Sequence, residues 1–181
     1  YLRRLGHQVD IFEQMEKLGG MPLYGIPDYR LSEEQYMWDI QGVLELGVTP
    51  HTGVRLGKDF TIRSLKAIGF DAVYLALGCW QGRMLPFEGK ELEGIYSGID
   101  YLRRFHTDEE IIRGKHYIII GAGNVAMDCA RSALRTGAES VNLLFRFSRD
   151  LMQANAHEII DAETEGVEMH CLVSPLKFVG E

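Results

Sequence analysis

Cysteine is scarce in this sequence of 181 residues, and the three cysteines present, Cys79, Cys129 and Cys171, lie far apart. An odd number of isolated cysteines fits neither a disulfide framework nor the close C-x-x-C spacing of a zinc or iron–sulfur site. We therefore expect three buried free thiols and no metal site formed by cysteine.

Long apolar runs are also absent. No stretch approaches the roughly 20 residues that a membrane-spanning helix needs, and no hydrophobic signal-peptide core follows Arg3 and Arg4. This pattern predicts a cytoplasmic protein without a membrane partner. Positive charge is in deficit as well, because 19 lysines and arginines face 26 acidic residues, for a net charge of −7. Since nucleic-acid binding needs a concentrated positive field, no nucleic-acid partner is expected.

What the sequence does contain is an alternation of strand and helix patterns, which is typical of an α/β fold. Residues 9–12 form a short strand pattern. Glycine and proline then accumulate over residues 17–31, which predicts a loop without regular structure. Ser32 and Gln35 form a capping box for the helix that follows. The nearly continuous apolar run 71–78 predicts a central parallel strand that is buried on both faces.

In the second half the pattern is more regular. Ser97 is placed to cap a helix that runs through Phe105, and the polar stretch 107–115 predicts a domain boundary. The elements predicted beyond it are strand 117–120, helix 124–136, strand 141–145, helix 155–165 and strand 167–173.

The strongest single signal is a G-x-G-x-x-A motif at residues 121–126, directly between a predicted strand and a predicted helix. Gly121 permits the tight turn, Gly123 lets backbone N–H groups approach a pyrophosphate, and Ala126 lets helix and strand pack closely. The helix N-terminus then places its partial positive charge at the phosphates. The alternative is a strand-to-helix turn that binds nothing, but the surrounding elements favour dinucleotide binding. The predicted binding residues are Gly121, Ala122, Gly123, Asn124 and Val125.

The end of the next strand decides between NAD and NADP. An acidic residue there accepts from the ribose 2′-OH of NAD, whereas an arginine pairs with the 2′-phosphate of NADP. This sequence has Arg146, 20 positions after Ala126 (146 − 126), and Arg149 follows closely. Two guanidinium groups could hold one phosphate. Arg146 is therefore predicted to bind NADP, whereas for Arg149 a solvated surface charge is an equal alternative.

Glu13 ends the first strand as the ribose-binding acid of a Rossmann unit does. On this residue alone a solvated charge is the commoner explanation. The glycine motif that would precede such an acid by about 20 residues is not within the chain.

Several segments occur in the order found in one family of flavoproteins. They are L-G-G-M (18–21), Y-G-I-P-D-Y-R-L (24–31), G-V-T-P-H-T-G-V (47–54), Y-L-A-L-G (74–78) and G-A-G-N-V-A-M-D (121–128). With the arginines near 146, they make essentially the whole chain resemble the small subunit of NADPH-dependent glutamate synthase. The same module is known in dihydropyrimidine dehydrogenase and in ferredoxin:NADP transhydrogenases, and the resemblance does not choose among them.

The resemblance implies that six residues of the first half contact FAD. They are Glu13 at the adenosine ribose, Gly20 and Met21 along the cofactor, Arg30 at the phosphate region, Val54 at the adenine, and Gly78 at the end of a strand beside the flavin. The fold it implies is a pair of Rossmann-like dinucleotide-binding domains, both incomplete. Residues 1–113 belong to the FAD domain and residues 114–181 to the NADP domain.

The family pattern is broken at two positions. Phe147 stands where relatives commonly carry a second basic residue, and Gln153 stands within a stretch that is commonly Met-Pro-Ala. Both departures concern the NADP-specific part of the pattern and leave the dinucleotide-binding glycine motif unchanged. The family's N-terminal iron–sulfur segment, its first and last FAD motifs and the final strands of its NADP domain are missing, so an interior fragment is expected.

The function implied is transfer of a hydride from NADPH to FAD, followed by delivery of electrons to a partner subunit or domain such as the large glutamate synthase subunit or a ferredoxin-like carrier. The alternatives are a nucleotide-binding module without turnover, a purely structural fragment, and the flavoprotein part of another electron-transfer complex. No catalytic side chain is nominated, because the cofactors carry this chemistry. His51, His157 and His170 are not spaced as metal ligands and are expected at the surface or in packing.

Overall fold

A computed structural model of the chain describes residues 1–107 and 114–180. Its contacts divide the chain into two compact units, Tyr1–Gly78 and Cys79–Glu181. Each unit contains parallel strands connected through helices, so the predicted α/β class is confirmed. The predicted functional boundary between residues 113 and 114 adjoins residues outside the described ranges, and it stays a prediction.

The first unit is built around one short parallel strand pair. In chain order its elements are a 3₁₀ turn at Arg3–Leu5, β1 at Asp10–Phe12, α1 at Met21–Tyr24, α2 at Glu33–Glu45, β2 at Thr49–His51 and α3 at Ile62–Ala67. Phe12 lies opposite His51 across the pair, and the two rings stack with centroids 4.7 Å apart. Phe60 and Phe70 contact the same Phe12 ring, at 4.9 and 5.8 Å. Aromatic packing around Phe12 therefore holds β1 and β2 together.

Two local predictions for this unit are wrong. The loop 17–31 is not free of regular structure, because it contains the one-turn helix α1. Gly20, with φ 58°, turns the chain into α1, and Pro22 is tolerated in its first turn, where no N–H bond is lost. Helix α2 does begin after Ser32 as predicted, but the Ser32 side chain makes no capping hydrogen bond. The capping box of this unit joins Thr61 and Ser64 at the start of α3 instead.

The apolar run 71–78 is not a buried strand. Its side chains are largely exposed, with Tyr74 at 88% and Leu77 at 60% of their full accessibility. Among the described residues of the first unit the only strand pair is β1 with β2, so the run has no partner there. A parallel strand depends on its neighbours for every backbone hydrogen bond, and without a neighbouring strand the run forms no strand.

The second unit contains the β-α-β-α-β succession predicted from the pattern. Its elements are α4 at Gly98–His106, β3 at His116–Ile120, α5 at Asn124–Arg135, β4 at Ser140–Phe145, a 3₁₀ turn at Arg149–Leu151, α6 at Ala156–Glu165 and β5 at Glu168–Cys171. The strands pair in parallel in the order β3-β4-β5. Ser97 caps α4 as predicted, since its Oγ accepts from the Asp100 N–H at 3.2 Å.

One face of this sheet is buried by α5 and α6. Alternate strand residues are inward, so Leu143 of β4 is fully buried against Met127 and Ala130 of α5, whereas Ile118 on the opposite face is 66% exposed. Small residues along α5 let the helix approach the sheet closely. The cysteine prediction holds for Cys129, where burial raises the pKa of the thiol well above its ordinary value. It is wrong for Cys79, which follows the unpaired run 71–78 and is exposed, and for Cys171 at the end of β5, which is only half-buried.

A buried arginine ties α5 to α6. Arg131 is 6% exposed, and its guanidinium donates to Glu158 at 2.6 Å and to Glu165 at 2.8 Å. Arg135, one turn later, donates to the same Glu165 carboxylate at 2.6 and 2.9 Å. Hydrogen bonds from Arg135, together with those from Arg131, lower the pKa of Glu165 to about 2 against the opposing effect of partial burial. Every charge of this cluster is paired, which is the condition for stable burial.

No helix in the described part of the chain has both the length and the apolar character needed to cross a membrane.

Candidate functional site

The glycine loop between β3 and α5 adopts a backbone conformation that requires glycine at position 121. Gly121 has φ 130°, a backbone region that side chains rarely allow, and its N–H donates to the Leu144 carbonyl at 3.0 Å. A Cβ at position 121 would lie 3.8 Å from the Ala126 Cβ, so a small residue at 126 keeps the strand and helix close. The turn thus leads directly from the end of β3 into α5.

Gly123 stands at the N-terminus of α5 without strain. Its φ is −92°, and a Cβ built there would meet nothing within 4 Å. Glycine is therefore not needed here for packing or backbone geometry. No side chain caps α5, and its first turn carries no acidic residue. The N–H groups of Asn124 and Val125 have no described hydrogen-bond partner, and uncapped helix N-termini of this kind bind phosphate.

Hydrogen bonds join the glycine loop to the segment that leads into α6. The Ala122 carbonyl accepts from the N–H groups of Gln153 at 3.0 Å and Ala154 at 2.9 Å. Asn124 Oδ1 accepts from the Asn155 N–H at 2.9 Å. A proline at position 153 could not donate the hydrogen bond that the Gln153 N–H makes. The hydrogen bond from the Asn155 N–H shows that the Asn124 side chain also supports the loop, a role that the sequence alone did not indicate.

The two predicted arginines differ in their surroundings. Arg146 is exposed just after β4, and its guanidinium carbon lies 4.6 Å from the centroid of the Phe147 ring. Within the described residues no carboxylate forms an ion pair with Arg146. Arg149 is also exposed, but its Nε donates to Glu163 at 3.2 Å and its Nη2 contacts the same carboxylate. Glu163 raises the pKa of Arg149. Arg146 is available to an anion, whereas Arg149 already has one.

In the first unit the structure brings two of the predicted FAD residues together. The Val54 N–H donates to the Glu13 carbonyl at 3.0 Å, and the Glu13 N–H donates to the His51 carbonyl at 2.9 Å. The Glu13 carboxylate accepts from the Met15 N–H at 2.8 Å. Glu13 and Val54, 41 positions apart (54 − 13), are thus neighbours at the end of the β1–β2 pair.

The remaining first-half residues lie at other points of the unit. Gly20 precedes α1 with φ 58°, and Met21 is the first residue of that helix. A Cβ at Gly25 would lie 2.7 Å from the Met21 sulfur, so glycine at 25 gives that side chain its space. Arg30 is half-buried at the end of the loop, and Gly78, with φ 69°, ends the exposed run 71–78. No described backbone hydrogen bond joins Gly78 to another of the predicted FAD-binding residues.

Comparison with known proteins identifies the family. The family model described as pyridine nucleotide-disulphide oxidoreductase matches residues 1–181. The chain belongs to the pyridine nucleotide-disulphide oxidoreductase family. This membership confirms the predicted relationship to the pyridine nucleotide oxidoreductases.

Two curated relatives show where in the family the chain lies. It is 41% identical over 179 residues to the NADP(+)-dependent formate dehydrogenase subunit beta of Moorella thermoacetica, covering 97% of this chain and 25% of that protein. It is 30% identical over 192 residues to the glutamate synthase [NADPH] small chain of Azospirillum brasilense, covering 99% of this chain and 40% of that protein. The predicted relationship to the glutamate synthase small subunit is confirmed. The chain thus spans between a quarter and two fifths of these relatives' length.

A solved structure of the same fold is Mycobacterium tuberculosis FprA in complex with NADPH. The TM-score is 0.80 at 17% identity, and the match covers 96% of this chain and 54% of that one. At this identity the likeness shows the fold, a Rossmann-like oxidoreductase fold as predicted.

The described residues contain no group of three or more histidine, cysteine or acidic side chains placed to hold a metal ion. His170 hydrogen-bonds to Asn142 at 2.7 Å, and His51 to Asp10 at 2.7 Å. These contacts give both histidines local partners within their sheets.

Proposed function

We propose that this chain supplies the NADP(H)-binding unit and part of the FAD-binding unit of an oxidoreductase that carries electrons from NADPH through FAD to a partner centre. The observation that carries the proposal is Gly123. A glycine that neither packing nor backbone strain requires, at an uncapped helix N-terminus that faces open space, is explained by a ligand that must approach the backbone there.

The residues of the second unit fit a dinucleotide phosphate. In the proposed complex the N–H groups at the start of α5 donate to the pyrophosphate, and the bonds from Gln153 and Ala154 to the Ala122 carbonyl keep the loop in shape before the ligand arrives. Arg146, exposed and without an ion-pair partner among the described residues, receives the 2′-phosphate of NADP. Arg149 contributes less, because Glu163 competes for its guanidinium.

For the first unit we propose FAD contacts at the residues predicted from the family resemblance. Glu13 and Val54, adjacent in the structure, are assigned to the adenosine end, with Gly20, Met21 and Arg30 along the flavin nucleotide and Gly78 beside it. When bound, the nicotinamide and the flavin supply the hydride and single-electron chemistry. The protein's part is to hold the two ring systems in contact and exclude water, so no general acid or base is assigned. We keep residues 1–113 and 114–181 as the functional division.

The names of two relatives support the proposal that the parent protein works with a partner subunit. The Moorella thermoacetica relative is a subunit beta, and a further relative, 37% identical over 182 residues, is the NADPH-Fe(3+) oxidoreductase subunit beta of Geobacter sulfurreducens. We therefore propose that this chain's parent protein delivers electrons to another subunit. The names of these relatives differ in the second substrate, formate in one and Fe(3+) in the other, and we propose that the partner centre is set by domains other than this one.

The experiment that tests the proposal is the substitution Gly123→Ala. A methyl group at 123 enters the open space at the helix N-terminus, so NADPH should bind at least about tenfold more weakly, which corresponds to about 1.4 kcal/mol. The free energy of unfolding should fall by less than about 1 kcal/mol, because φ at 123 suits alanine and no atom is displaced.

Gly42→Ala is the matched control. Gly42 lies within α2 in the other unit and also has nothing within 4 Å of its added Cβ. The change should leave NADPH binding unaltered and stabilise the helix by about 0.5–1 kcal/mol. Calorimetric titration of NADPH into both variants of the full-length protein decides the matter. Unchanged affinity in Gly123→Ala would refute the phosphate site.

A further inference from the structure

Arg146 and Phe147 form an exposed stacked pair where β4 ends. The 4.6 Å distance from the guanidinium carbon to the ring centroid is well inside the range of cation–π contacts, about 6 Å. Phe147 retains 44% of its accessibility, so burial alone does not account for a large apolar side chain at this position. The contact with Arg146 is the feature that distinguishes it.

The Phe147 ring is itself held in place. The Phe145 ring meets it edge-on, with centroids 5.7 Å apart and an interplanar angle of 75°. The Phe147 carbonyl accepts from the Leu172 N–H at 3.2 Å, which ties this backbone to the end of β5. A phenylalanine ring has only two side-chain torsions, whereas a free arginine loses considerable rotamer entropy when it is fixed. A ring anchored to the sheet therefore restricts where the guanidinium can lie.

No described hydrogen bond uses the N–H groups of the Arg146 guanidinium, whose carbon lies over the Phe147 ring. A guanidinium carries five N–H donors in one plane. Arg146 can therefore keep its contact with Phe147 while it donates two parallel hydrogen bonds to a phosphate. Arg149 differs, because its guanidinium is engaged by Glu163 through the N–H groups themselves.

We infer that Phe147 is a specificity-determining positioning residue for the adenosine 2′-phosphate: its ring contacts Arg146 and orients that guanidinium. The inference rests on the proposed NADP(H) site and names how that site recognises its substrate. Discrimination between NADPH and NADH then depends on how well this one arginine is oriented.

The test compares 2′,5′-ADP with 5′-AMP, two probes that differ only in the 2′-phosphate. Calorimetric titrations on the full-length protein should show that Phe147→Leu weakens 2′,5′-ADP about two- to fivefold and leaves 5′-AMP unchanged. Leucine keeps an apolar contact for Phe145 but offers no ring face. Phe147→Trp restores the ring and should return the affinity for 2′,5′-ADP to at least the wild-type value.

A double-mutant cycle with Arg146→Ala separates this inference from the proposal beneath it. If Phe147 acts through Arg146, Phe147→Leu has no further effect once Arg146 is removed. Equal weakening of both probes by Phe147→Leu, or an additive effect in the double variant, would overturn the positioning role. If Arg146→Ala lowers the preference for 2′,5′-ADP and Phe147→Leu does not, the inference fails while the NADP(H) site stands. If Arg146→Ala does not change the preference, the proposed site itself fails.

Discussion

Acid should weaken the packing of α5 on α6 through the Glu165 carboxylate. Glu165 accepts hydrogen bonds from Arg131 and Arg135, and its pKa falls from an ordinary value of 4.5 to about 2. A carboxylate with a lowered pKa in the folded state contributes its full stabilisation above the unfolded pKa. That contribution is lost as the pH falls from about 4.5 through 2.

The magnitude follows from the two pKa values of Glu165. At about 1.4 kcal/mol for each pH unit between them, ionised Glu165 adds about 3 kcal/mol to the free energy of unfolding at pH 7. The Glu165 side chain is 27% exposed, and because solvent screens its ion pairs this stabilisation is an upper limit. By linkage, about 1.4 kcal/mol of it remains at pH 3, where the unfolded state is already protonated and the folded state is not. About 2 kcal/mol should therefore disappear between pH 7 and pH 3.

Glu165→Gln isolates this contribution, because glutamine keeps the size and one acceptor oxygen but cannot ionise. Arg131 retains its bonds to Glu158 and to Asp161, at 2.6 and 3.3 Å, so the variant should still fold. Urea unfolding followed by far-ultraviolet circular dichroism gives the free energies at each pH. The difference between wild type and variant should shrink by about 2 kcal/mol from pH 7 to pH 3. A difference that does not change with pH would refute the reasoning. Glu91→Gln, at an exposed glutamate without an ion pair among the described residues, is the control.

Two other residues give sharp expectations. Leu172 has φ 61° and is 75% exposed, so Leu172→Gly should relieve left-handed strain at little cost in contacts and raise the free energy of unfolding by about 0.5–1 kcal/mol after the entropy of glycine is subtracted. Urea unfolding measures this, and a loss of stability would show that the side chain contributes more than its exposure indicates. Glu163→Gln frees Arg149 from its ion pair, so NADPH should bind up to about fivefold more tightly while NADH changes little. Weaker NADPH binding in that variant would mean that the ion pair supports the site.

The succession β3-α5-β4-α6-β5 could be predicted because each element satisfies its own pattern and finds its partners within the chain. The inward residues of β4, such as Leu143, alternate as a half-buried strand requires, and α5 presents its small residues to the sheet. The run 71–78 carries an equally clear strand pattern but has no pairing partner among the described residues of its unit. An apolar pattern indicates which side chains of a segment can be buried. Whether they are buried depends on the neighbouring strands and helices.

The sequence predicted the residues of the candidate site that face the ligand, but not the contacts that hold the glycine loop in place. Gly121 and Gly123 follow from a spacing that has a known geometric meaning. The bonds from Gln153 and Ala154 to the Ala122 carbonyl are made by backbone N–H groups, and no side-chain pattern announces them. The ion pair of Arg149 with Glu163 and the contact of Arg146 with the Phe147 ring likewise depend on side-chain rotamers, which the sequence pattern does not specify.

The measurement that tests the central claim most directly is a paired titration of NADPH and NADH into the full-length protein and its Arg146→Ala variant, with Arg63→Ala, another exposed arginine, as control. The account predicts that NADPH binds more tightly than NADH to the wild type. It also predicts that Arg146→Ala weakens NADPH by about 1.5–3 kcal/mol, roughly 10- to 150-fold, and leaves NADH unchanged. Equal losses for both nucleotides, or no binding of either, would contradict the assignment of this loop and this arginine to NADP(H).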